Sequence, residues 1–363
     1  MSTATATEIM RVAAGRQRRA VAVLWGFGGL LALAFLLSVG WGAVPISPGQ
    51  VLAIVADALG FELPWDFGHR EEAVLLAIRL PRACLGMLAG AALAVSGASL
   101  QGLFRNPLAD PALIGVSTGA ALTAVGVIVL GAGLATSISS TIAPFLLPIA
   151  AFTGGLLTTL LVYRIANRDG RTDVATMLLA GVALNAIASA GIGLLVFIST
   201  DQQLRDLNFW LLGSLGGITW ATMLPAIPFI ASAIVALPLF ARHLNALLLG
   251  EKEALHLGFH VERTKRFIVI LAALATGASV ALTGVIGFVG LVVPHLVRLT
   301  IGPDHRILLP ASILLGAGLM LVADLAARTV VLPAELPIGI LTSCVGGPFF
   351  LWLLLRRRSL GGW

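Results

Sequence analysis

Long apolar runs separated by short polar segments are the dominant pattern of this chain. Most runs approach or exceed the roughly 20 residues that an α-helix needs to cross the hydrocarbon core of a bilayer. The pattern predicts ten transmembrane helices, at 21–41, 79–103, 111–131, 142–164, 174–199, 221–240, 267–283, 284–301, 307–327 and 336–355. A more polar stretch, 42–78, separates the first two and contains an amphipathic piece at 49–59.

Composition supports the same class of protein. The 363 residues are 58% hydrophobic and only 11% charged, whereas roughly a quarter of a soluble domain is charged. The net charge of +6 would suit nucleic acid, but the arginines lie mostly at the ends of apolar runs, as membrane-flanking residues do. We therefore predict an all-α polytopic membrane protein whose surroundings are lipid and which has no nucleic-acid partner.

The basic residues predict the orientation in the membrane. If the N-terminus is cytoplasmic, the inner segments hold 18 of the 23 basic residues, as the positive-inside rule requires. The first apolar run is too long for a cleaved signal peptide. We expect a cytoplasmic N-tail at 1–20, a membrane domain at 21–356 and a cytoplasmic C-tail at 357–363.

One internal segment, 242–266, concentrates polar chemistry on the predicted cytoplasmic side. It reads RHLNALLLGEKEALHLGFHVERTKR and carries three of the six histidines. We interpret it as the loop on which a separate ATPase docks and drives this chain. The alternative interpretation is a solvated inner loop with no partner.

Several chemical signatures are missing from the sequence. It contains no GxxxxGK[ST] motif for ATP phosphates and no HExxH or CxxC metal pattern. We expect no catalytic residue, no metal and no cofactor on this chain. An ion-coupled secondary carrier would need ionisable residues at membrane depth, and these are scarce. Asp324 lies near an outer end, where we expect it to pair with Arg328. An intramembrane enzyme would need a catalytic constellation at depth, which is also missing.

Five stretches carry a family resemblance. They are RLPR (79–82), SGASLQGLFRNPLADPALIGVSTGA (96–120), LTGVIGFVGLVVPHLVR (282–298), GPDHRILLP (302–310) and AELPIGILTSCVGGPFFLWLLL (334–355). Together they resemble the FecCD-type permease family, the membrane subunits of ABC importers for iron-siderophores, haem and vitamin B12. The resemblance runs from about 79 to 356 in order and with ordinary spacing.

The resemblance implies a type II ABC importer permease fold in the bacterial inner membrane. It implies a homodimer, two cytoplasmic ATPase subunits that bind ATP and Mg, and a periplasmic binding protein. It also implies roles for groups of residues. ATPase coupling falls on Gly250, Glu251, Glu253, Ala254, Leu255, Leu257 and Gly258; binding-protein docking falls on Arg79, Arg82 and Arg328. The translocation path falls on Leu179, Val182, Asn185, Ser189, Ile338, Thr342 and Val345; the cytoplasmic gate falls on Asp173, Val174, Ala175 and Thr176.

The cargo is predicted from the segment that follows the fifth helix. LRDLNFW at 204–210 resembles the haem and vitamin B12 branches more than the siderophore ones. Arg205 would meet a propionate or a phosphate at the substrate entrance, although an interfacial helix also accommodates such a charge. Haem is the first expectation, since a largely apolar path tolerates a flat apolar ring. Vitamin B12 and a ferric siderophore are the alternatives.

Overall fold

The computed structural model describes residues 3–42, 44–131, 139 and 141–359. The predicted all-α class is confirmed, because nearly all of this part of the chain is helical. Its strands are a two-residue hairpin, β1 Asn167–Arg168 and β2 Arg171–Thr172. Residues 1–2 of the predicted N-tail and 360–363 of the predicted C-tail lie outside the described residues.

The helices are numbered in chain order. They are α1 Thr3–Gly40, α2 Pro48–Asp57, α3 His69–Ala73, α4 Leu80–Leu103, α5 Val116–Leu130, α6 Ala143–Ala166, α7 Val174–Phe197, α8 Asp201–Leu212, α9 Trp220–Met223, α10 Ile227–Ala236, α11 Ala241–Leu249, α12 Glu251–His256, α13 Val261–Thr283, α14 Val289–Ile301, α15 His305–Thr329 and α16 Ile338–Ser359. A π-helical turn, Val74–Arg79, joins α3 to α4, and 3₁₀ turns at Leu224–Ala226 and Leu237–Phe240 join α9 to α11. A further 3₁₀ turn, Pro111–Ile114, precedes α5.

The described helices provide the predicted number of membrane crossings. Seven helical stretches are long and apolar enough to span a bilayer, and three shorter apolar helices, α5, α14 and α16, complete the set of ten. Several boundaries differ from the predicted ones, and the difference that matters most here is that α13 begins at Val261, not at 267. Its first turns are polar because they lie beyond the apolar run, and hydropathy detects that run rather than the start of the helix. The segment 242–266 is accordingly not a loop but largely helical, formed by α11, α12 and the start of α13.

The second crossing, His69–Leu103, is the central helix of the bundle. In its most apolar part 83% of the residues are buried inside the protein, against 11% for the first crossing. It packs against α13, α14 and α15, and hydrophobic residues of α4 contribute to both large core clusters. The core is therefore arranged around α4, and the first crossing lies at the periphery.

Glycine allows the neighbours to approach α4 closely. A Cβ atom added at Gly90 would lie 2.6 Å from the Cβ of Met320, and it would also overlap the backbone of Gly316. A Cβ added at Gly97 would lie 2.6 Å from the Cα of Gly290 on α14. Small residues at such crossings let helix backbones touch, which is a main source of helix association in lipid. The α4–α15 and α4–α14 crossings are of this kind.

We expect Gly90→Ala to destabilise the protein, because backbone atoms of α15 cannot move aside for a methyl group as a flexible side chain would. Overpacking of this kind costs about 1–3 kcal/mol, so the melting temperature of the detergent-purified protein should fall by several degrees. Gly28→Ala is the matched control, since a Cβ at Gly28 would meet nothing within 4 Å. Equal melting temperatures for the two variants would show that the crossing is not tightly packed.

Candidate functional site

A short helix, α12, projects from the predicted inner side between α11 and α13. Gly250 forms the corner before it with φ of +130°, and Gly258 ends it with φ of +84°. Both angles lie where side chains other than glycine are strained. The amides of Gly258 and Phe259 donate to the carbonyls of Leu255 and Ala254 at 2.9 and 3.0 Å, closing the helix with a compact turn. The predicted coupling segment is therefore a defined helix.

The two faces of α12 differ. Ala254 is fully buried, whereas Leu255 and Leu257 are 59% and 60% exposed. The carboxylate of Glu253 lies over Gly250, in the space that a Cβ atom there would need. Exposed leucines on a charged segment outside the apolar spans are an apolar patch that suits a groove on another protein.

Glu251, at the start of α12, is bound to a buried lysine. The ammonium of Lys265 on α13 is 2.8 Å from the carboxylate of Glu251, and it is 3.1 Å from that of Glu262. It also donates to the carbonyl oxygen of Thr172 at 2.9 Å. Glu262 in turn accepts a hydrogen bond of 2.8 Å from the amide of Thr172. No sequence motif indicates a role for Lys265, Glu262 or Thr172.

The predicted gate, 173–176, directly follows Thr172. Asp173 caps α7 by accepting from the amide of Thr176 at 2.9 Å and from the Thr176 hydroxyl. The Thr176 hydroxyl and amide, the amide of Ala175 and the ammonium of Lys265 hold the pKa of Asp173 below its ordinary value. Asp173 and Ala175 are exposed, while Val174 and Thr176 are partly buried. The structure thus brings the predicted gate and the predicted coupling helix together around Lys265.

The predicted path residues on α7 divide into two groups. Leu179 and Val182 are 70% and 57% exposed and share an open face with Ser189. Asn185 lies at the edge of this face, and its amide donates to the carbonyl of Ala112 at 3.1 Å. A half-buried amide needs such a partner, so Asn185 attaches α7 to the 3₁₀ turn before α5.

The predicted path residues on α16 also divide. Val345 is 67% exposed. It lines, together with Thr342, an apolar cavity of about 230 Å³ between α14, α15 and α16. Ile338 is 1% exposed and belongs to a core cluster, so this structure places it in the packed interior rather than on an open surface.

The predicted docking arginine Arg79 lies inside the outer end of the bundle. It is 5% exposed. Its guanidinium donates to the carbonyls of Val39 and Gly40 at 2.9 Å and to the carbonyl of Val44. These contacts bind the end of α1 to the π-helical turn.

Arg82 and Arg328 share one buried carboxylate. Asp324 is fully buried, and it lies 2.9 Å from Arg82 and 3.1 Å from Arg328. This confirms the pairing of Asp324 with Arg328. Arg82 also contacts Glu335 at 2.9 Å, and Arg328 donates to the carbonyl of Ser38 at 2.9 Å. The two arginine side chains are 9% and 10% exposed.

The three outer arginines therefore differ from the expectation of exposed docking side chains, because internal acceptors bind all three guanidinium groups. Glu335, whose side chain is 48% exposed, is the most accessible carboxylate of this cluster. Docking of a partner through these arginines stays a prediction.

Arg205, the predicted entrance residue, lies exposed on α8. It donates to the side chain of Gln202 at 2.9 Å. Thr200 caps the helix and accepts from the amide of Gln203. The guanidinium therefore lies on an ordered surface helix.

Comparison with known proteins places this architecture in a family. A profile of the FecCD transport family matches residues 30–356. The hemin transport system permease protein of Yersinia pestis is 48% identical over 83% of this chain and 90% of its own length. The cobalamin import system permease protein of Halobacterium salinarum is 43% identical over 87% of this chain and 83% of its own length. The vitamin B12 import system permease protein of Escherichia coli strain HS is 39% identical over 96% of this chain and its full length.

A solved structure has the same fold. It is described as a metal-chelate type ABC transporter in an inward-facing conformation, and it is 32% identical with a TM-score of 0.79. The match covers 92% of this chain and 99% of that one. With the ten apolar helices and the family profile, this leads to one conclusion: the chain belongs to the FecCD transport family and is a membrane-spanning permease subunit of an ABC importer.

Proposed function

We propose that this permease imports haem from a periplasmic binding protein across the bacterial inner membrane. It would act as a homodimer by alternating access, with ATP and Mg bound on two separate cytoplasmic ATPase subunits and with no cofactor on this chain. Both termini would be cytoplasmic, with tails at 1–20 and 357–363 flanking the membrane domain at 21–356. The observation that carries the proposal is the exposed apolar face of α12 on a chain of this family.

The geometry of α12 supports docking of an ATPase there. Leu255 and Leu257 are well exposed. Leu255 lies on α12 and Leu257 caps its end, between two glycines that have positive φ. Burial of two leucine side chains stabilises a complex by about 3–6 kcal/mol before the costs of association. The charges of Glu251 and Glu253 precede these leucines, so a groove with apolar walls and a basic rim would fit.

The open face of α7 supports a path at a homodimer interface. Leu179, Val182 and Ser189 lie on this face. It is exposed although α7 is long enough to cross the membrane, and only 17% of its most apolar part is buried within the protein. A second copy of the chain would cover it, and the apolar walls would let a flat apolar ring pass. The gate at 173–176 lies at the inner end of the same helix.

Haem is proposed as cargo because the hemin permease of Yersinia pestis is 48% identical to this chain over the aligned residues, against 43% and 39% for the two cobalamin or vitamin B12 permeases. Vitamin B12 is the second candidate, since those relatives match over most of this chain. A ferric siderophore is the remaining alternative.

The choice of cargo is tested by uptake into proteoliposomes that contain this permease, its ATPase and its binding protein. We expect ATP-dependent uptake of haemin that a tenfold excess of cyanocobalamin does not reduce. Uptake of cobalamin in preference to haemin would show that the cargo is cobalamin and would leave the importer assignment unchanged. Equal uptake without the ATPase would overturn the importer assignment and favour a secondary carrier.

Docking on α12 is tested by Leu255→Asp, with Leu255→Met as the matched control. The aspartate places a charge in a contact that should be apolar, and we expect ATPase binding to weaken by about 2 kcal/mol or more, roughly thirtyfold in affinity. Methionine keeps the volume and the apolar surface, so it should bind within about threefold of the parent. Binding is measured by titration of detergent-purified permease with the ATPase. Equal affinities for both variants would exclude α12 as the docking helix.

A further inference from the structure

Lys265 is the most deeply buried cation at the inner end of the described protein, and its burial requires an explanation. The residue is 2% exposed, although lysine is almost never fully buried unless it is paired. Its ammonium has three N–H donors, and each finds one acceptor: Glu251 at 2.8 Å, Thr172 at 2.9 Å and Glu262 at 3.1 Å. The group is therefore fully satisfied.

The three acceptors come from three different parts of the chain. Glu251 is the first residue of the coupling helix α12, Glu262 lies on α13 beside Lys265, and Thr172 ends the β-hairpin. Thr172 and Lys265 are 93 residues apart in sequence. No other ammonium group is available for this contact, since the chain has only one further lysine, Lys252, and it is exposed.

The hairpin side of this contact is rigid. Thr172 pairs with Asn167 across the hairpin and is itself 3% exposed. The next residue, Asp173, donates its amide to the carbonyl of Ala166 at 3.0 Å and caps α7 with its side chain. A displacement of Thr172 must therefore displace the start of α7 with it.

The coupling-helix side is held by fewer contacts. Among the residues of α12 only Ala254 is buried, and α12 turns on glycine at both ends. The ion pair with Lys265 fixes the first turn of this helix to α13 and to Thr172. Charge-assisted hydrogen bonds are roughly twice as strong as neutral ones, so this contact can carry movement between two elements that lie far apart in sequence.

We propose that Lys265 is the positioning residue that transmits movement of the coupling helix to the gate at the inner end of α7. The proposal rests on the function proposed above. When a docked ATPase displaces α12, Glu251 moves Lys265, and Lys265 moves Thr172 and the cap of α7. The contact would convert binding and hydrolysis of ATP into a change at residues 173–176.

The test is Lys265→Met in the complete complex, reconstituted in proteoliposomes with ATPase and binding protein. Methionine has a similar reach but no charge, so the connection is lost while the volume is kept. We expect haemin uptake per ATP hydrolysed to fall about tenfold, within the usual range of coupling between sites, while the rate of ATP hydrolysis stays within about twofold. Arg263→Met, which removes an exposed cation two residues away on the same helix α13, is the matched control and should behave as the parent.

A second variant keeps the proposal testable if Lys265→Met does not assemble into a complex. Glu251→Gln keeps the side-chain shape but removes the charge from the coupling-helix side alone, leaving Glu262 and Thr172 on Lys265. It should lower uptake per ATP in the same direction.

Spin labels at Ala175, which is exposed, report the distance between the two gates of the dimer. A loss of overall stability alone would not change how this distance responds to nucleotide. On addition of a non-hydrolysable ATP analogue, the distance between the two labels of the dimer should change in the parent. It should stay at its nucleotide-free value in Lys265→Met.

The outcomes separate the two proposals. If the parent complex shows no ATP-dependent uptake of haemin or of cobalamin, the proposed function is wrong. A different outcome would show that only the role of Lys265 is wrong. In that case the parent transports its cargo, and both Lys265→Met and Glu251→Gln show the same uptake per ATP and the same change of label distance as the parent.

Discussion

The structure depends on one constraint: the hydrocarbon core contains no water, so each polar group inside it must find its partner within the protein. The central crossing packs against its neighbours through small residues and backbone contact. At Gly90 and Gly97 the neighbouring backbones are so close that no side-chain atom fits between them. Dispersion across such contacts replaces the hydrophobic driving force that lipid does not provide between helices.

Two clusters of charged residues, one near each end of the bundle, join elements that lie far apart in sequence. At the predicted outer end, Asp324 binds arginines from two crossings, and Arg79 binds carbonyls at the end of α1. At the predicted inner end, one ammonium connects α12, α13 and the hairpin. Buried ion clusters add little net stability, since desolvation offsets much of the attraction, but breaking one partner leaves an uncompensated charge. Their effect is to specify which elements stay together.

The number and order of the crossings could be predicted from sequence because lipid selects for long apolar runs, and the family was identified from its motifs. The ends of the crossings were harder to predict from the sequence. α13 begins before its apolar run. Its first turns carry Glu262 and Lys265, and such polar residues are also typical of a loop, so the sequence alone does not show where the helix starts. The charge of the segment 242–266 marks it as distinct in the sequence, whereas the contact of Lys265 with Thr172, 93 residues away, is a property of the folded chain.

The outer arginines show the same limit. Their positions at the ends of apolar runs were predictable, but the burial of Arg82 depends on a carboxylate 242 residues further along the chain, and that of Arg79 depends on carbonyls at the end of α1. Asn185 fitted the helical spacing of Val182 and Ser189, yet its amide lies at the edge of that face and binds the turn before α5. Periodicity identifies a face, whereas the partner of a polar group at its edge is a property of the folded chain.

The central position of the second crossing has a consequence for the synthesis of the protein and its insertion into the membrane. Ribosomes deliver this helix to the membrane almost first, while α14 and α15, which cover its glycine contacts, are among the last segments made. Until they arrive, Arg82 has neither Asp324 nor Glu335 beside it. The nascent chain must therefore carry an uncompensated cation and an uncovered small-residue surface through most of its synthesis. A message truncated before α14 would leave the helix permanently in that state.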